Sequence, residues 1–515
     1  MALFTAEQRH FAQQISSLAY CNPFVPDRIA FEREALGDDF VATPRVWSLL
    51  AAEAESERAN LARLVARIEP LAEKLRSRLA AGTRANRADL VLYEDLILYM
   101  LYQRDRMDLQ RSIDSALGGD HSTGPIAYWK RFKTGFDQFL CIGGVSMPSA
   151  YDPAHIFACC FQIRRAFHHI FSAIVGGSMP AAQLRAAVWQ SIFTHDERRY
   201  IRVLYKHMAD YTTLVTGPSG TGKELVARAI GQARYIPFDA KSQKFTEDFA
   251  SSFHPLNLSA LSPTLIESEL FGHKRGSFTG AVADRAGWLE VCQPLDTVFL
   301  DEIGELDPAI QVKMLRVLQT RTFQRLGETT DRRFHGKIIA ASNQDLARQM
   351  HDGRFRPDFY YRLCSDIITT PSLHEQLADD SGDLYNLVLF IAKRIVDDEA
   401  ESLADEVTAW IEKHLGREYP WQGNFRELEQ CVRNVLIRKT YRPPYGAAPA
   451  KGADDLVKAM LEVRLSADEL LRRYCTIVYA SKGSYEQAAR QLNIDRRTVR
   501  SKIDRKLLEQ LQRTT

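Results

Sequence analysis

The sequence has no excess of charge of either sign. Among its 515 residues, 67 Lys and Arg stand against 65 Asp and Glu, which leaves a net charge of +2 at neutral pH. A chain this balanced has no global attraction to nucleic acid, so any nucleic-acid surface must be confined to one part of it. The eight cysteines are sparse for this length and contain no Cys-x-x-Cys pair, which favours a reducing compartment over a disulfide framework.

Long apolar runs are also missing. The first residues, MALFTAEQRHFAQQ, show no basic segment followed by an apolar one, so we expect no export signal. The most apolar stretch, Leu90 to Tyr102, is interrupted by Glu94 and Asp95 and falls short of the ~20 residues that cross a bilayer. We therefore expect a soluble, cytoplasmic, globular protein, which at this length should contain about three or four domains.

The chain changes character along its length. Apolar residues recur at helical spacing between Leu61 and Leu79, where Pro70 is expected to bend or divide the helix. Further on, short β-rich runs alternate with helical stretches, which predicts a parallel sheet with crossover helices. The predicted divisions are a mostly helical region (1–190), an α/β region (191–370), a second helical region (371–440), a linker (441–465) and a small helical unit (466–515).

A glycine-rich turn between a predicted strand and a predicted helix points to phosphate binding. The segment GPSGTGKE fits the pattern G-x-x-x-x-G-K, in which backbone N–H groups, the helix N-terminus and the lysine converge on phosphate oxygens. The position after the lysine is Glu224, where Ser or Thr usually supplies a hydroxyl to Mg²⁺. The predicted nucleotide-binding residues are Gly217, Pro218, Ser219, Gly220, Thr221, Gly222, Lys223 and Glu224.

Two acids follow a buried β-rich run in TVFLDEIGELD. At the end of a parallel strand, Asp301 can hold Mg²⁺ and Glu302 can orient or deprotonate an attacking water. Buried acids without a cation are costly, so a purely structural pair is disfavoured. The two acids therefore predict hydrolysis in addition to nucleotide binding.

Seven ordered segments, from about residue 190 to 440, resemble the central domain of bacterial enhancer-binding proteins, the AAA+ ATPases that activate sigma-54 RNA polymerase. They are GPSGTGKE, ESELFGHKRGSFTGA, TVFLDEIGELD, QVKMLRVLQTRTFQRLGE, ASNQDL, GRFRPDFYYRL and WQGNFRELEQ. The resemblance implies a multidomain fold with a mostly α N-terminal domain, an α/β AAA+ P-loop domain with a helical lid and a small all-α helix-turn-helix domain. It also implies ATP and Mg²⁺ as cofactors, and a homo-oligomer, usually a hexamer.

The resemblance assigns roles to residues that spacing alone does not. Asn343 matches the sensor of the γ-phosphate, and Arg426 matches a second sensor on the lid. Arg356 and Arg362 resemble a pair that reaches into the neighbouring subunit's nucleotide site. Such an arginine neutralises transition-state charge, whereas a surface salt bridge is the alternative for each arginine taken alone.

The segment GSFTGA resembles the family's GAFTGA loop, which moves with nucleotide state and presses on sigma-54. Phe278 would supply apolar contact and Thr279 a hydroxyl, and the flanking glycines would supply hinge freedom. The predicted contact residues are Gly276, Ser277, Phe278, Thr279, Gly280 and Ala281.

Three segments depart from the family pattern. PSLHEQ, at 371–376, lacks the arginines usual there, and Gln422 stands where proline is usual. CQPLDT, at 292–297, replaces a glycine-rich turn and is one residue longer, and the segment at 235–249 is also long. These departures concern lid packing and coupling to the partner.

The C-terminal segment is similar to the Fis-type helix-turn-helix found in the same family. Residues 467–515 hold 11 Lys and Arg against 6 Asp and Glu, a local excess that suits phosphate contact. The segment predicts a short helix that contains Ala488 and Ala489, a turn near Asn493 and then a longer basic helix. Asp495 is predicted to cap this second helix, on which Arg497 and Arg500 share a face. The predicted DNA-binding residues are Arg496, Arg497, Thr498, Arg500, Ser501 and Lys502.

In the family that this sequence resembles, the N-terminal domain usually controls the ATPase, so residues 1–190 are expected to form a regulatory domain. They show no pattern typical of a phosphorylated receiver domain, and the type of this domain stays unknown. His155, Cys159, Cys160 and the pair His168 and His169 allow a metal or redox sensor, but buried cysteines in an aromatic helix are the favoured interpretation. We predict an ATP-hydrolysing activator that binds enhancer DNA and remodels the sigma-54 polymerase closed complex. The alternatives are a DNA-binding regulator that uses nucleotide only as an assembly switch, and an AAA+ remodeller of another client.

Overall fold

A computed structural model describes residues 2–44, 46, 51–118, 124–247, 253–443, 465–505 and 507–508. These residues fall into two compact units, one formed by 1–409 with 421–432, the other by 410–420 with 433–515. Most of the predicted linker at 441–465 lies outside the described residues, as do the last two residues of the long segment at 235–249.

The first part of the larger unit is helical, as expected. Asn86, Asp152 and Ser178 cap three of its helices through their side chains. The helices are α1 (Ala6–Tyr20), α2 (Asp27–Leu36), α3 (Ala51–Ala80), α4 (Arg87–Leu117), α5 (Trp129–Leu140), α6 (Pro153–Ala173), α7 (Met179–Phe193) and α8 (Glu197–Arg202). Helix α3 passes through Pro70 without a break, so of the two outcomes expected at Pro70, a bend or a division of the helix, the division is wrong.

A parallel sheet of five strands follows, with strand order β11-β1-β10-β7-β4. The strands are β1 (Thr213–Thr216), β4 (Phe253–Asn257), β7 (Thr297–Asp301), β10 (Lys337–Ser342) and β11 (Asp366–Thr369). Crossover helices are α9 (Lys223–Gln232), α10 (Pro263–Phe271), α11 (Trp288–Val291), α12 (Pro308–Thr320), α13 (Leu346–His351) and α14 (Pro357–Leu363). Since parallel strands run in one direction, the segments after β1, β10 and β7 meet at one edge.

Alternate residues of these strands enter two different cores, because successive side chains point to opposite faces of a sheet. Val215, Phe299 and Ile339 pack on the face covered by α9 and the N-terminal helices. Leu214, Leu300 and Ala340 pack on the opposite face, against residues of α10, α12 and α14. Both faces are therefore buried, as expected for an all-parallel sheet.

The N-terminal helices join the α/β part through a short hairpin formed by β2 (Phe238–Asp239) and β3 (Lys244–Phe245). The rings of Phe161 and Phe245 stack with centroids 4.1 Å apart, and those of Phe157 and Phe238 meet edge to face at 4.7 Å. Helix α6 also packs along α9, the helix that begins at the phosphate loop. The hairpin in the long segment at 235–249 is thus one of the places where the N-terminal helices dock on the α/β part.

Two further hairpins and the helices of the predicted lid (371–440) belong to the part of the chain around and after the sheet. The hairpins are β5 (Gly272–His273) with β6 (Arg285–Ala286), and β8 (Thr322–Phe323) with β9 (Arg332–Arg333). The lid helices are α15 (Leu373–Asp379), α16 (Asp383–Val396), α17 (Ala400–His414) and α18 (Asn424–Arg438). Ser372 and Glu375 form a capping box at the start of α15. The segment PSLHEQ therefore starts a helix although it lacks the arginines that are usual at this position.

In the described residues of its C-terminal part, the second unit contains the helices α19 (Ala467–Lys482), α20 (Tyr485–Leu492) and α21 (Arg496–Ser501). They surround a small core of Val478, Ala488, Ala489 and Val499. Asn493, with φ of 53°, makes the turn between α20 and α21. In the part of the chain that the structure describes, no helix is long and apolar enough to cross a membrane.

Candidate functional site

The predicted phosphate loop joins β1 to α9 through a turn that depends on glycine. Gly217 and Gly220 have φ of 139° and 80°, a region that side chains disfavour. A Cβ atom on Gly217 would lie 2.2 Å from Thr370 Oγ1, and one on Gly220 would lie 2.3 Å from the carbonyl oxygen of Gly423. The loop therefore requires glycine both for its backbone conformation and for space.

Lys223 is the first residue of α9, and its ammonium group points back into the loop. Its Nζ donates to the carbonyl oxygens of Gly217 at 3.0 Å and Pro218 at 3.1 Å. Burial lowers the pKa of Lys223, whereas the nearby carboxylates of Glu302 and Asp301 act in the opposite direction. A partly buried cation between the loop and two acids is suited to bind a polyanion.

The two predicted acids lie at the same edge of the sheet. Asp301 ends β7, and its Oδ1 accepts a hydrogen bond from the backbone N–H of Glu302 at 3.1 Å. Burial raises the pKa of Asp301, as expected for a carboxylate that is not paired with a cation. Glu302 has a left-handed φ of 57°, and its Oε2 accepts a hydrogen bond from the backbone N–H of Asn343 at 3.4 Å.

Asn343 follows β10, which lies between β1 and β7 in the sheet. The structure thus brings together the phosphate loop, the predicted sensor and the two acids. Glu224, on the first turn of α9, pairs instead with Arg228 at 2.9 Å on the exposed side of the helix.

The lid contributes to the same site through the start of α18. Arg426 Nη1 donates to Ser219 Oγ at 3.2 Å, so the predicted second sensor reaches the phosphate loop. Asn424, which the sequence analysis missed, donates from Nδ2 to the carbonyl oxygen of Ser219 at 2.9 Å and accepts from the N–H of Leu373 at 2.9 Å. Its φ of 52° is uncommon for a residue other than glycine, although Asn tolerates it better than most.

The predicted arginine pair lies elsewhere. Arg356 precedes α14 and forms two hydrogen bonds with Asp358, at 3.0 and 2.8 Å. Arg362 lies on α14 and is exposed. No hydrogen bond or ion pair of either side chain reaches the phosphate loop of the same chain within the described residues. Within one chain, these two arginines therefore do not contribute to the site around the phosphate loop.

The segment from Gly276 to Ala281 forms a compact turn above the β5–β6 hairpin. The N–H of Gly276 donates to the carbonyl oxygen of Ala281 at 2.8 Å, which closes the loop, and both glycines have left-handed φ. Thr279 is exposed, whereas Phe278 is half-buried, with its ring centroid 5.0 Å from that of His273. Ser277 packs on Gly327, so the loop also contacts the segment between β8 and β9.

In the C-terminal unit, Asp495 caps α21 as predicted. Its Oδ1 accepts from the N–H groups of Arg497 at 2.8 Å and Thr498 at 2.9 Å. Arg497 and Arg500 are exposed, and Lys502 pairs with Asp468. The expectation that this basic helix is longer than the one before it is wrong, because α21 ends at Ser501 and is shorter than α20.

The candidate sensor in α6 is occupied by other contacts. The ring nitrogens of His155 lie 2.8 Å from the hydroxyl of Tyr235 and 2.7 Å from the carbonyl oxygen of Ile201. Cys159 and Cys160 are buried, and burial raises the pKa of both thiols. This geometry favours a packing role over a metal or redox role.

Comparison with known families finds one match to this region. Residues 194–369 match the model of the sigma-54 interaction domain. The chain is 37% identical over 301 residues to the Nif-specific regulatory protein of Azotobacter vinelandii, a match that covers 57% of this chain and 53% of that protein. It is 34% identical over 312 residues to the transcriptional regulatory protein ZraR of Escherichia coli (strain K12), covering 58% of this chain and 64% of ZraR.

The matched region thus spans less than two thirds of either relative. Among solved structures, NtrX from Brucella abortus in complex with ATP is 20% identical, covers 73% of this chain and 79% of its own, and gives a TM-score of 0.39. A TM-score this low supports no inference about function.

Proposed function

We propose that the chain is an ATP-hydrolysing activator of the sigma-54 polymerase, because residues 194–369 match the model of the sigma-54 interaction domain. The observation that carries the proposal is the convergence of Lys223, Asp301, Glu302, Asn343 and Arg426 around one glycine-rich loop.

ATP fits this site by its charge and by the shape of the loop. The N–H groups before α9, with the helix N-terminus and Lys223, offer positive charge to the phosphates. Asp301 is the residue that would hold Mg²⁺, since its carboxylate lies at the strand end without an ion-pair partner among the described residues. Mg²⁺, when bound, supplies positive charge that neutralises the charge developing on the phosphates.

Hydrolysis would depend on Glu302 as the base or orienting group for water. Its carboxylate is held by the N–H of Asn343, which couples it to the strand beside the phosphate loop. Arg426 would bind phosphate oxygens from the lid, and Arg356 and Arg362 would complete the site of a neighbouring copy in a ring, such as a hexamer.

The loop at 276–281 would move when ATP is hydrolysed and would press on sigma-54. The loop connects β5 to β6. The space beside its two glycines is open, because a Cβ atom added to Gly276 or Gly280 would have no other atom within 4 Å. Release of Phe278 from His273 would expose an aromatic side chain to the partner. Arg496, Arg497, Thr498, Arg500, Ser501 and Lys502 would bind enhancer DNA, with Arg497 and Arg500 exposed for base contacts.

The test is steady-state phosphate release and sigma-54-dependent transcription in matched variants. Glu302→Gln should reduce phosphate release by about 10²-fold or more while ATP binding remains, because only the water-activating carboxylate is lost. Glu305→Gln is the control, since Glu305 lies three residues further on and accepts a hydrogen bond from Gln344. Full phosphate release by Glu302→Gln would contradict the hydrolytic role.

A second variant tests whether sigma-54 is the partner, independently of ATP hydrolysis. Thr279→Ala should abolish transcription while leaving phosphate release intact, because Thr279 is exposed and lies outside the nucleotide site. Unchanged transcription in Thr279→Ala would favour a remodeller of another client. An unmodified protein without phosphate release would favour a regulator that uses nucleotide only for assembly.

A further inference from the structure

The turn that replaces the usual glycine-rich segment before β7 brings three metal-binding residue types together. His254 lies on β4, Cys292 follows α11, and Asp296 precedes β7. One ligand atom from each residue lies within 4.8 Å of the other two. The strand pairing explains the meeting, because His254 lies opposite Val298, two residues after Asp296.

The side chains of His254 and Asp296 are held in place by contacts that leave metal-ligating atoms available. His254 Nε2 lies 3.1 Å from Asp296 Oδ2, and the imidazole packs on the ring of Trp288 with centroids 5.2 Å apart. Oδ2 of Asp296 also accepts the N–H of Gln293 at 2.9 Å. Within the part of the chain that is described, neither Asp296 Oδ1 nor the thiol of Cys292 has a hydrogen bond.

The backbone of Asp296 is fixed independently of its side chain. Its carbonyl oxygen accepts from the N–H of Lys337 at 3.0 Å and from Nη1 of Arg234 at 2.7 Å. The Arg234 contact is therefore made to the main chain, and the carboxylate remains as a negative ligand beside this cation. Cys292 is 5% exposed, and its surroundings exclude most solvent.

We propose that His254, Cys292 and Asp296 form a binding site for a divalent transition metal such as Zn²⁺. Imidazole nitrogen, thiolate sulfur and carboxylate oxygen are the three ligand types that Zn²⁺ takes in proteins, with water in the fourth tetrahedral position. Binding converts the thiol to thiolate and releases one proton to solvent, so affinity rises with pH. Burial, with the Asp296 carboxylate acting in the same direction, raises the pKa of Cys292 to about 12, so the free thiol is inert until metal binds.

This site is separate from the nucleotide site. Five residues along β7 separate Asp296 from Asp301, a distance of about 16 Å at the rise of an extended strand. Metal binding would join the first residues of β4 and β7 to the intervening turn. The expected role is therefore stabilisation of the sheet at the edge opposite the phosphate loop.

The test is titration of the chelator-stripped full chain with Co²⁺ in excess Mg²⁺, which keeps Co²⁺ from the carboxylates of the nucleotide site. The protein should bind one Co²⁺ with a thiolate-to-metal absorption band that Zn²⁺ removes by displacement. Cys292→Ser should lose the band, and His254→Gln should weaken binding by more than about tenfold, since even an outer-shell partner contributes about 10–100-fold.

Cys431→Ser is the matched control. Cys431 is also buried, and burial likewise raises its pKa to about 12, but it belongs to no group of metal ligands in the described residues. Its removal should leave the band unchanged. The proposal is overturned if the unmodified chain gives no thiolate band, or if the band persists in Cys292→Ser.

Discussion

Glu197 shows how a single residue can make stability depend on pH. Its side chain is buried at the start of α8, where Oε1 accepts a hydrogen bond from Nε1 of Trp189 at 2.5 Å. Burial raises the pKa of Glu197 to about 8, and the Trp189 hydrogen bond only partly opposes this. The carboxyl group is therefore protonated in the folded protein at neutral pH.

We predict that Glu197 makes the protein less stable as pH rises from about 4.5 to about 8. Across this window the folded state binds a proton that the unfolded state has lost, so the free energy of unfolding falls with pH. Glu197→Gln removes the titration and keeps an acceptor for Trp189. Its denaturation midpoint should exceed that of the unmodified protein at pH 8 but not at pH 4.5. An equal difference at both pH values would contradict the assignment.

At the scale of elements, the lid and the N-terminal helices are joined by one buried carboxylate. Asp383 begins α16 and accepts the N–H groups of Gly177 at 2.5 Å and Ser178 at 2.8 Å, at the start of α7. Asp379, at the end of α15, makes a similar but exposed contact with the N–H of Met179 at 2.7 Å. The lid is thus attached to a region far away in the sequence.

We predict that Asp383→Asn destabilises this attachment by about 2–3 kcal/mol, since it replaces two charge-assisted hydrogen bonds with one neutral one. Asp379→Asn should lose less than about 1 kcal/mol, because solvent competes for its exposed contact. Chemical denaturation of the two variants measures the difference. Equal losses would show that the buried contact contributes no more than the exposed one.

The sequence predicted those elements whose signals are local. The phosphate loop needs glycines at 217 and 220 for its own backbone, and the acids at 301 and 302 follow an uninterrupted β-rich run. Asn424 could not be found this way, because its role depends on the lid folding back onto Ser219, about 200 residues earlier. The end of α21 at Ser501 was also missed, because a run of basic residues after a capping residue predicts where a helix starts but not the residue at which it ends.

At the scale of the whole molecule, the predicted boundary at residue 190 does not separate two independent cores. Gln162 Nε2 on α6 donates to the carbonyl oxygen of Ala233 at 2.9 Å, just after α9. Arg165, also on α6, donates to the carbonyl oxygens of Gln232 and Arg234. One apolar core contains residues of α6, α9 and the β2–β3 hairpin together. The helical region therefore supports the helix that begins at the phosphate loop.

We predict that a protein lacking residues 1–190 will aggregate or melt at a lower temperature than the full chain. Removing α6 exposes the aromatic face of the β2–β3 hairpin and one side of α9, and each large apolar side chain so exposed costs about 1.5–3 kcal/mol. Size-exclusion chromatography and thermal unfolding measure the effect. A protein lacking residues 466–515 is the control, since the core of α19–α21 is separate and its removal should leave the larger unit's melting temperature unchanged.

A milder variant distinguishes lost packing from lost regulation. Phe161→Ala removes the ring that stacks on Phe245 and should destabilise the protein by about 3–5 kcal/mol while leaving every N-terminal segment present. If both this variant and the truncated protein lose phosphate release in parallel with stability, the helices act by supporting α9. A truncated protein that stays monodisperse and melts like the full chain would instead make residues 1–190 a separable domain, and any change in its phosphate release would then reflect regulation.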